Sequence, residues 1–129
     1  MSVQRIAIVG SPRAGKSTLA VRLGHSLGMP VTHSDSLISL GWSQASSELA
    51  ELIEQAPGIF EGVAVVRALR KLLQRHATPP VNRVIVLTKP HMQLSSGQEA
   101  LRKGCATIWS EIEPELRARG VEVVHGAAE

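Results

Sequence analysis

Eight consecutive residues, Gly10-Ser11-Pro12-Arg13-Ala14-Gly15-Lys16-Ser17, constrain this chain more than any other segment. They follow the apolar run Ile6-Ala7-Ile8-Val9, the pattern of a strand buried on both faces. They precede Leu19, Ala20, Leu23 and Leu27, which recur at helical spacing until Gly28 and Pro30 stop the pattern. The segment matches G-x-x-x-x-G-K-[ST] in full, in the strand-to-helix context that pattern requires. Its glycines let the backbone curl so that N–H groups point inward, and the helix N-terminus adds partial positive charge at the same place. Such a loop binds phosphate. Lys16 would bridge the β- and γ-phosphates of ATP, Ser17 would place its hydroxyl on Mg2+, and Thr18 would add a neighbouring polar contact.

Strand and helix alternate through the rest of the chain. Val31-Thr32-His33 predicts a short second strand, followed by a polar, turn-rich stretch from Ser34 to Ser47. Leu49, Leu52, Ile53 and Ala56 mark a second helix that ends at Pro57-Gly58, and Ile59-Phe60-Glu61 predicts a third strand. Val63 to His76 is amphipathic, with Val66, Leu69, Leu72 and Leu73 opposed by Arg67, Arg70, Lys71 and Arg75. Arg83 to Leu87 predicts the fourth strand, Gln98 to Arg119 a helix, and Gly120 to Val124 the fifth strand. This order implies one α/β domain over residues 1–129, a five-stranded parallel sheet flanked by helices, with the first strand central.

Composition narrows the class further. With 43% hydrophobic and 19% charged residues the chain can bury a core, which excludes global disorder. A single cysteine, Cys105, excludes a disulfide scaffold or a cysteine-based zinc cluster and favours a reducing cytoplasm. Met1 to Arg5 leads into too few apolar residues for a signal peptide or a membrane span, so neither is expected. The net charge of +3 is distributed in blocks: residues 62–110 carry eight basic side chains against Glu99 alone. That asymmetry suits either a polyanionic partner or a solvated helix face.

Several residues outside the loop are candidates for the site. Asp35, the only aspartate, follows the second strand in His33-Ser34-Asp35-Ser36 and would face the phosphates across the carboxyl edge of the sheet. There it could hold Mg2+ through water or take the proton of an attacking hydroxyl, or it could simply cap a turn. Glu61, ending the third strand, is the second acid expected at that edge, or an ordinary strand end. Arg13 could supply in cis the cation that stabilises a transferring phosphoryl group, or point to solvent. Trp42, in the polar segment Leu40-Gly41-Trp42-Ser43, could stack on a base or fold back onto the domain, whereas Trp109 fits the apolar side of the last helix. His25, His76 and His125 show no metal-ligand spacing, and Met92 reads as loop packing. Thr88-Lys89-Pro90 faintly resembles the base-reading loop of GTPases, with His91 where that loop has aspartate.

Glycine, two residues, arginine, one residue and then Gly-Lys-Ser-Thr resembles the phosphate loop of thymidylate kinases. The resemblance extends to Asp35, to Glu61-Gly62, and to the closing segment from Trp109 to Val124. It implies a P-loop kinase in which Arg13 assists transfer where a lid lacks arginine. This chain has no lid insertion, since Lys89 is the only cation between Leu87 and Gln98. The resemblance also implies that Arg67 touches the acceptor, with Arg70 and Lys71 further out. Small size, an open acceptor side and the basic helix are similar to bacteriophage kinases that phosphorylate 5-hydroxymethyluracil within DNA. The expected reaction is therefore transfer from ATP to that base in DNA, extruded from the duplex and contacted by Glu61, Arg67, Arg70 and Trp42. A kinase of a free nucleotide or small metabolite, and a regulatory nucleotide switch, are the alternatives.

Overall fold

A computed structural model describes residues 4–35, 37, 41–90 and 92–126. The readings that rest on Met1 to Val3, Ser36, Leu40 and His91 lie outside these residues. In chain order the elements are β1 (Arg5–Gly10), α1 (Lys16–Leu27), β2 (Val31–His33), α2 (Trp42–Gln55), β3 (Gly58–Glu61), α3 (Val65–Arg75), β4 (Arg83–Leu87), α4 (Ser96–Ala118) and β5 (Glu122–His125). The strands form one all-parallel sheet in the order β2-β3-β1-β4-β5, which puts β1 at its centre as its apolar run requires.

Side chains alternate across the sheet, so β1 supplies two cores. Ile6 and Ile8 pack with Ala20, Ile59 and Leu87 on the face covered by α1. Ala7 and Val9 pack on the other face with Leu49, Leu69, Leu72, Ile108 and Leu116 from α2, α3 and α4. Ile8 is fully buried, and its truncation to alanine would cost about 2–5 kcal/mol.

Strand β5 is shifted from the expected Gly120 to Val124, α3 is shorter than Val63 to His76, and two further boundaries differ for identifiable reasons. The polar stretch after β2 is not loop as far as Ser47, because α2 begins at Trp42. Ser46 accounts for this: its hydroxyl donates back to the carbonyls of Trp42 and Ser43, so a polar side chain is satisfied inside the helix. Ala45 and Ser46 are both buried, giving α2 a small-residue face toward the core. Helix α4 starts at Ser96, two residues before the expected position. There Ser95 and Gln98 form a reciprocal capping box, which the sequence reading passed over. Among the described residues, the link between β4 and α4 has no helix or strand. Among the described residues no helix is long and apolar enough to cross a membrane.

Candidate active site

The phosphate loop is held in shape by contacts that demand its glycines. Gly10 has φ 139°, and a Cβ there would stand 1.8 Å from the Leu87 carbonyl oxygen. Only glycine lets the loop leave β1 so close to the end of β4. Ser11 N–H donates to that same oxygen at 2.9 Å, locking the turn. Gly15, at φ 87°, is the N-cap of α1, so the first helical N–H groups open toward the loop. Ser11 and Ala14 are buried, while Pro12, Arg13, Gly15, Ser17 and Thr18 line a cavity above the loop.

Lys16 is buried, and its ammonium donates to the carbonyls of Ser11 at 2.6 Å and Gly10 at 3.3 Å. Burial lowers its pKa below the ordinary lysine value, with the carboxylates of Glu61 and Asp35 acting in the opposite sense. A buried ammonium hydrogen-bonded to neutral carbonyls, inside a loop with a helix N-terminus behind it, fits an anion. The cradle therefore suits the phosphates of ATP.

The carboxyl edge of the sheet brings the acids to this loop. Glu61, at the end of β3, is only 4% exposed and lies 2.5 Å from His33 Nδ1 at the end of β2. The same His33 nitrogen is 3.3 Å from Ser17 Oγ. Oxygen donors at Ser17 and Glu61, with Asp35 on the same cavity, form a set that fits a divalent cation such as Mg2+ beside the phosphates. Among the described residues no group of three His, Cys, Asp or Glu could hold a metal alone, so the nucleotide's own oxygens would have to complete the shell. His76 and His125 pair with Glu54 and Glu113 at the surface instead.

Asp35 is exposed and is placed by a packed turn. Ser34 is buried, and its hydroxyl accepts from Ala64 N–H at 3.2 Å, which pins the start of the turn after β2 to the end of β3. Gly62, at φ 127°, makes that approach possible: a Cβ there would lie 2.0 Å from Ser34 Oγ and 3.0 Å from an Asp35 carboxylate oxygen. Asp35 lines the same cavity as the phosphate loop, which is compatible with its also capping the turn.

The cavity has a volume of about 570 Å³. Its far wall is Trp42, Val63 and Leu101, with Gln98 at the mouth. Trp42 is half-buried, packed on the core, and its ring lies 4.5 Å from the Arg67 guanidinium carbon. It thus both folds back onto the domain and faces the cavity, rather than standing in a loop. Arg67 Nη1 is buried with no hydrogen-bond partner among the described residues, while Nη2 lies beside Gly104 of α4. Cys105, the single cysteine, is buried next to it and donates to the Val63 carbonyl. Burial raises the thiol's pKa, the Arg67 charge opposing this. Trp109 packs against the core as expected.

Arg13 reaches across the cavity mouth: Nε donates to Gln98 Oε1 at 3.2 Å and Nη1 contacts Met92 Sδ. Its φ of 59° makes it the one non-glycine among the described residues in the left-handed region. The loop thus holds an arginine in a strained backbone conformation on the lining of the cavity.

The cations of the expected basic face are partly exposed, and three of them have partners on neighbouring helices. Helix α3 lies between α2 and α4, and its cations are divided between them. Arg70 faces Glu111 of α4 at 3.6 Å, Lys71 donates to Ser47 of α2 at 3.1 Å, and Arg75 lies 3.5 Å from Glu54 of α2. Arg70 does not line this cavity; it lines a separate depression with Glu111 and Glu115 of α4. Sequence reasoning missed His33, Val63, Gln98 and Leu101. His33 was detectable, being two residues before Asp35 at the end of a strand; the others depend on how α3 and α4 pack.

No protein-family model and no curated protein matches this sequence. Solved structures do share its fold. A shikimate kinase from Acinetobacter baumannii, in complex with shikimate, superposes with a TM-score of 0.59 at 15% identity, covering 99% of this chain and 86% of that one. A gluconokinase from Sinorhizobium meliloti gives 0.53 at 18% identity over 95% and 81%. A shikimate kinase from Bacteroides thetaiotaomicron gives 0.55 at 15% identity over 98% and 88%. This chain has the P-loop kinase fold, of the arrangement seen in shikimate kinase. These three structures are shikimate kinases and a gluconokinase, so they support the P-loop kinase class and not the thymidylate-kinase type toward which the loop sequence pointed.

Proposed function

We propose that this chain is an ATP-dependent kinase that transfers the γ-phosphate to a hydroxyl of a small metabolite. One observation carries the reading: a single cavity, of a volume suited to small ligands, joins the phosphate loop to Asp35 and to the partly apolar wall of Trp42, Val63 and Leu101. In that arrangement the loop N–H groups and Lys16 hold the donor phosphates, and Ser17 and Glu61 face the position of the cation. Bound there, Mg2+ would neutralise phosphate charge. Asp35 is the base that takes the acceptor's hydroxyl proton as its oxygen attacks the γ-phosphorus and ADP departs. Glu61 is less suited to that task, since it is buried and engaged with His33. Arg13, on the lining of the cavity, is placed to meet the charge that develops on the transferring group.

The small acceptor is favoured over a base in DNA on two grounds. The fold neighbours named above are kinases of shikimate and gluconate, and three of the α3 cations that would have followed a DNA backbone already have partners in Glu111, Ser47 and Glu54. The test is an ADP-release assay with product mass spectrometry across hydroxylated carboxylates, sugars, free nucleosides and an oligonucleotide containing 5-hydroxymethyluracil. Phosphorylation of a small hydroxyl compound, lost in Asp35→Asn with ATP binding retained, is the expected result. Phosphorylation of the oligonucleotide alone would overturn it.

A further inference from the structure

Beside the phosphate loop, Ser17 Oγ and Glu61 Oε2 both lie within hydrogen-bond distance of His33 Nδ1. The imidazole nitrogen stands 2.5 Å from the carboxylate and 3.3 Å from the hydroxyl. They come from three elements: Ser17 from the first turn of α1, His33 from the end of β2, and Glu61 from the end of β3. Parallel pairing of β2 with β3 sets His33 directly against Glu61, so sheet register, not side-chain flexibility, makes the pair. Glu61 has almost no exposure, and the rest of the site offers it Lys16 as a nearby cation.

Two oxygen donors within hydrogen-bonding reach of one imidazole nitrogen form a set that a divalent ion can draw on. An all-oxygen pocket would suit Mg2+, which is hard, demands near-ideal octahedral oxygen ligation and gives up its waters reluctantly. A nitrogen donor changes the preference, because imidazole suits first-row transition metals, and affinity at such sites rises from Mn2+ to Co2+. We propose that His33 makes the cation site of this chain a mixed nitrogen–oxygen site, which takes Mn2+ or Co2+ with the nucleotide in preference to Mg2+. Ser17 and Glu61 supply the protein oxygens, His33 the nitrogen, and phosphate oxygens complete the shell. The Ser17 hydroxyl is the donor any phosphate loop offers, whereas His33 is particular to the segment His33-Ser34-Asp35.

This inference rests on the nucleotide-binding reading above, and the measurements separate the two. Binding of ADP is followed by calorimetry first without metal and then with Mg2+, Mn2+ or Co2+, for wild type, His33→Asp and His33→Gln. Wild type should favour Mn2+ over Mg2+ by about tenfold more than free ADP does, and His33→Asp should lose that excess. Pulsed electron paramagnetic resonance on the Mn2+·ADP complex should show a directly bound nitrogen in wild type and none in either variant. His33→Gln, which retains a hydrogen-bonding side chain of similar reach, guards against a folding effect. The same metal preference in all three proteins, or no bound nitrogen in wild type, overturns the mixed site while leaving the phosphate loop intact. Failure of wild type to bind ADP under any condition overturns both readings.

Discussion

The guanidinium of Arg67, in the first turn of α3, stacks at 4.5 Å on the ring of Trp42, the first residue of α2. The pair ties two helix starts together at the cavity's far wall. A cation–π contact of this kind contributes about 0.5–2 kcal/mol. Trp42→Leu should lower stability by about 1–3 kcal/mol and raise the acceptor KM, with ATP affinity unchanged. Urea denaturation and separate ATP and acceptor titrations check this; equal losses on both ligands would take Trp42 off the acceptor side.

Gly62→Ala should destabilise the protein by about 2–4 kcal/mol, because the new Cβ would collide with the buried Ser34 hydroxyl and the backbone would stay at φ 127°. Adding Ser34→Ala should recover part of the loss, since the collision is relieved and the backbone strain is not. Chemical denaturation of the single and double variants measures the coupling. Additive effects would mean that the two residues do not meet.

Burial holds the folded-state pKa of Lys16 below 10.5, so the folded protein binds this proton more weakly than the unfolded chain does. The stability due to this group therefore rises as pH climbs from the folded-state pKa to 10.5 and is flat outside that window. Lys16→Met should lack that rise. It should also melt at or above the wild-type temperature when free, and show none of the stabilisation that ATP with Mg2+ gives wild type. Thermal melts with and without nucleotide across alkaline pH are the measurement; an undiminished nucleotide shift in the variant would remove the phosphate-loop assignment.

Arg13→Ala should reduce kcat by about 100-fold with little change in ATP affinity, because its contact strengthens only as charge develops in transfer. Its links to Gln98 and Met92 are exposed and contribute little to stability. Single-turnover kinetics separate the two effects, and a loss confined to ATP binding would make Arg13 a ground-state contact.

Replacing Arg70 and Arg75 together by glutamine should change stability by about 1 kcal/mol or less, since both ion pairs are exposed, and should leave turnover unaltered. Comparison of steady-state rates and of DNA affinity at varied salt checks this. A salt-dependent DNA affinity in wild type that falls in the double variant would return the basic helix to a role in acceptor binding.

Much of this protein was legible along the chain because its signals are local. The strand, Gly10 to Ser17 and the helix after it are contiguous, so one motif carries both the fold class and the phosphate site. The five strands could be found from short apolar runs, and Asp35 and Glu61 from their places after strands. The start of α2 was not legible, because Trp42 to Ser47 has the composition of a loop and becomes helix through Ser46's own backbone contacts and packing against α3.

What the sequence by itself determined is the set of chemical groups: a lysine and a serine on a phosphate loop, an arginine within it, and two acids at strand ends. Which of them act together was decided by tertiary structure. Arg67, Arg70, Lys71 and Arg75 share one helix flank in sequence, yet the helices packed on either side send Arg67 to Trp42, Arg70 to Glu111, and Lys71 and Arg75 to α2. Conversely His33 and Glu61 are 28 residues apart, and parallel register makes them neighbours. Helical periodicity can tell which residues share a face, but not what packs against that face. Charge partners across elements depend on sheet order and register, and those come from burial of the whole domain rather than from any local segment.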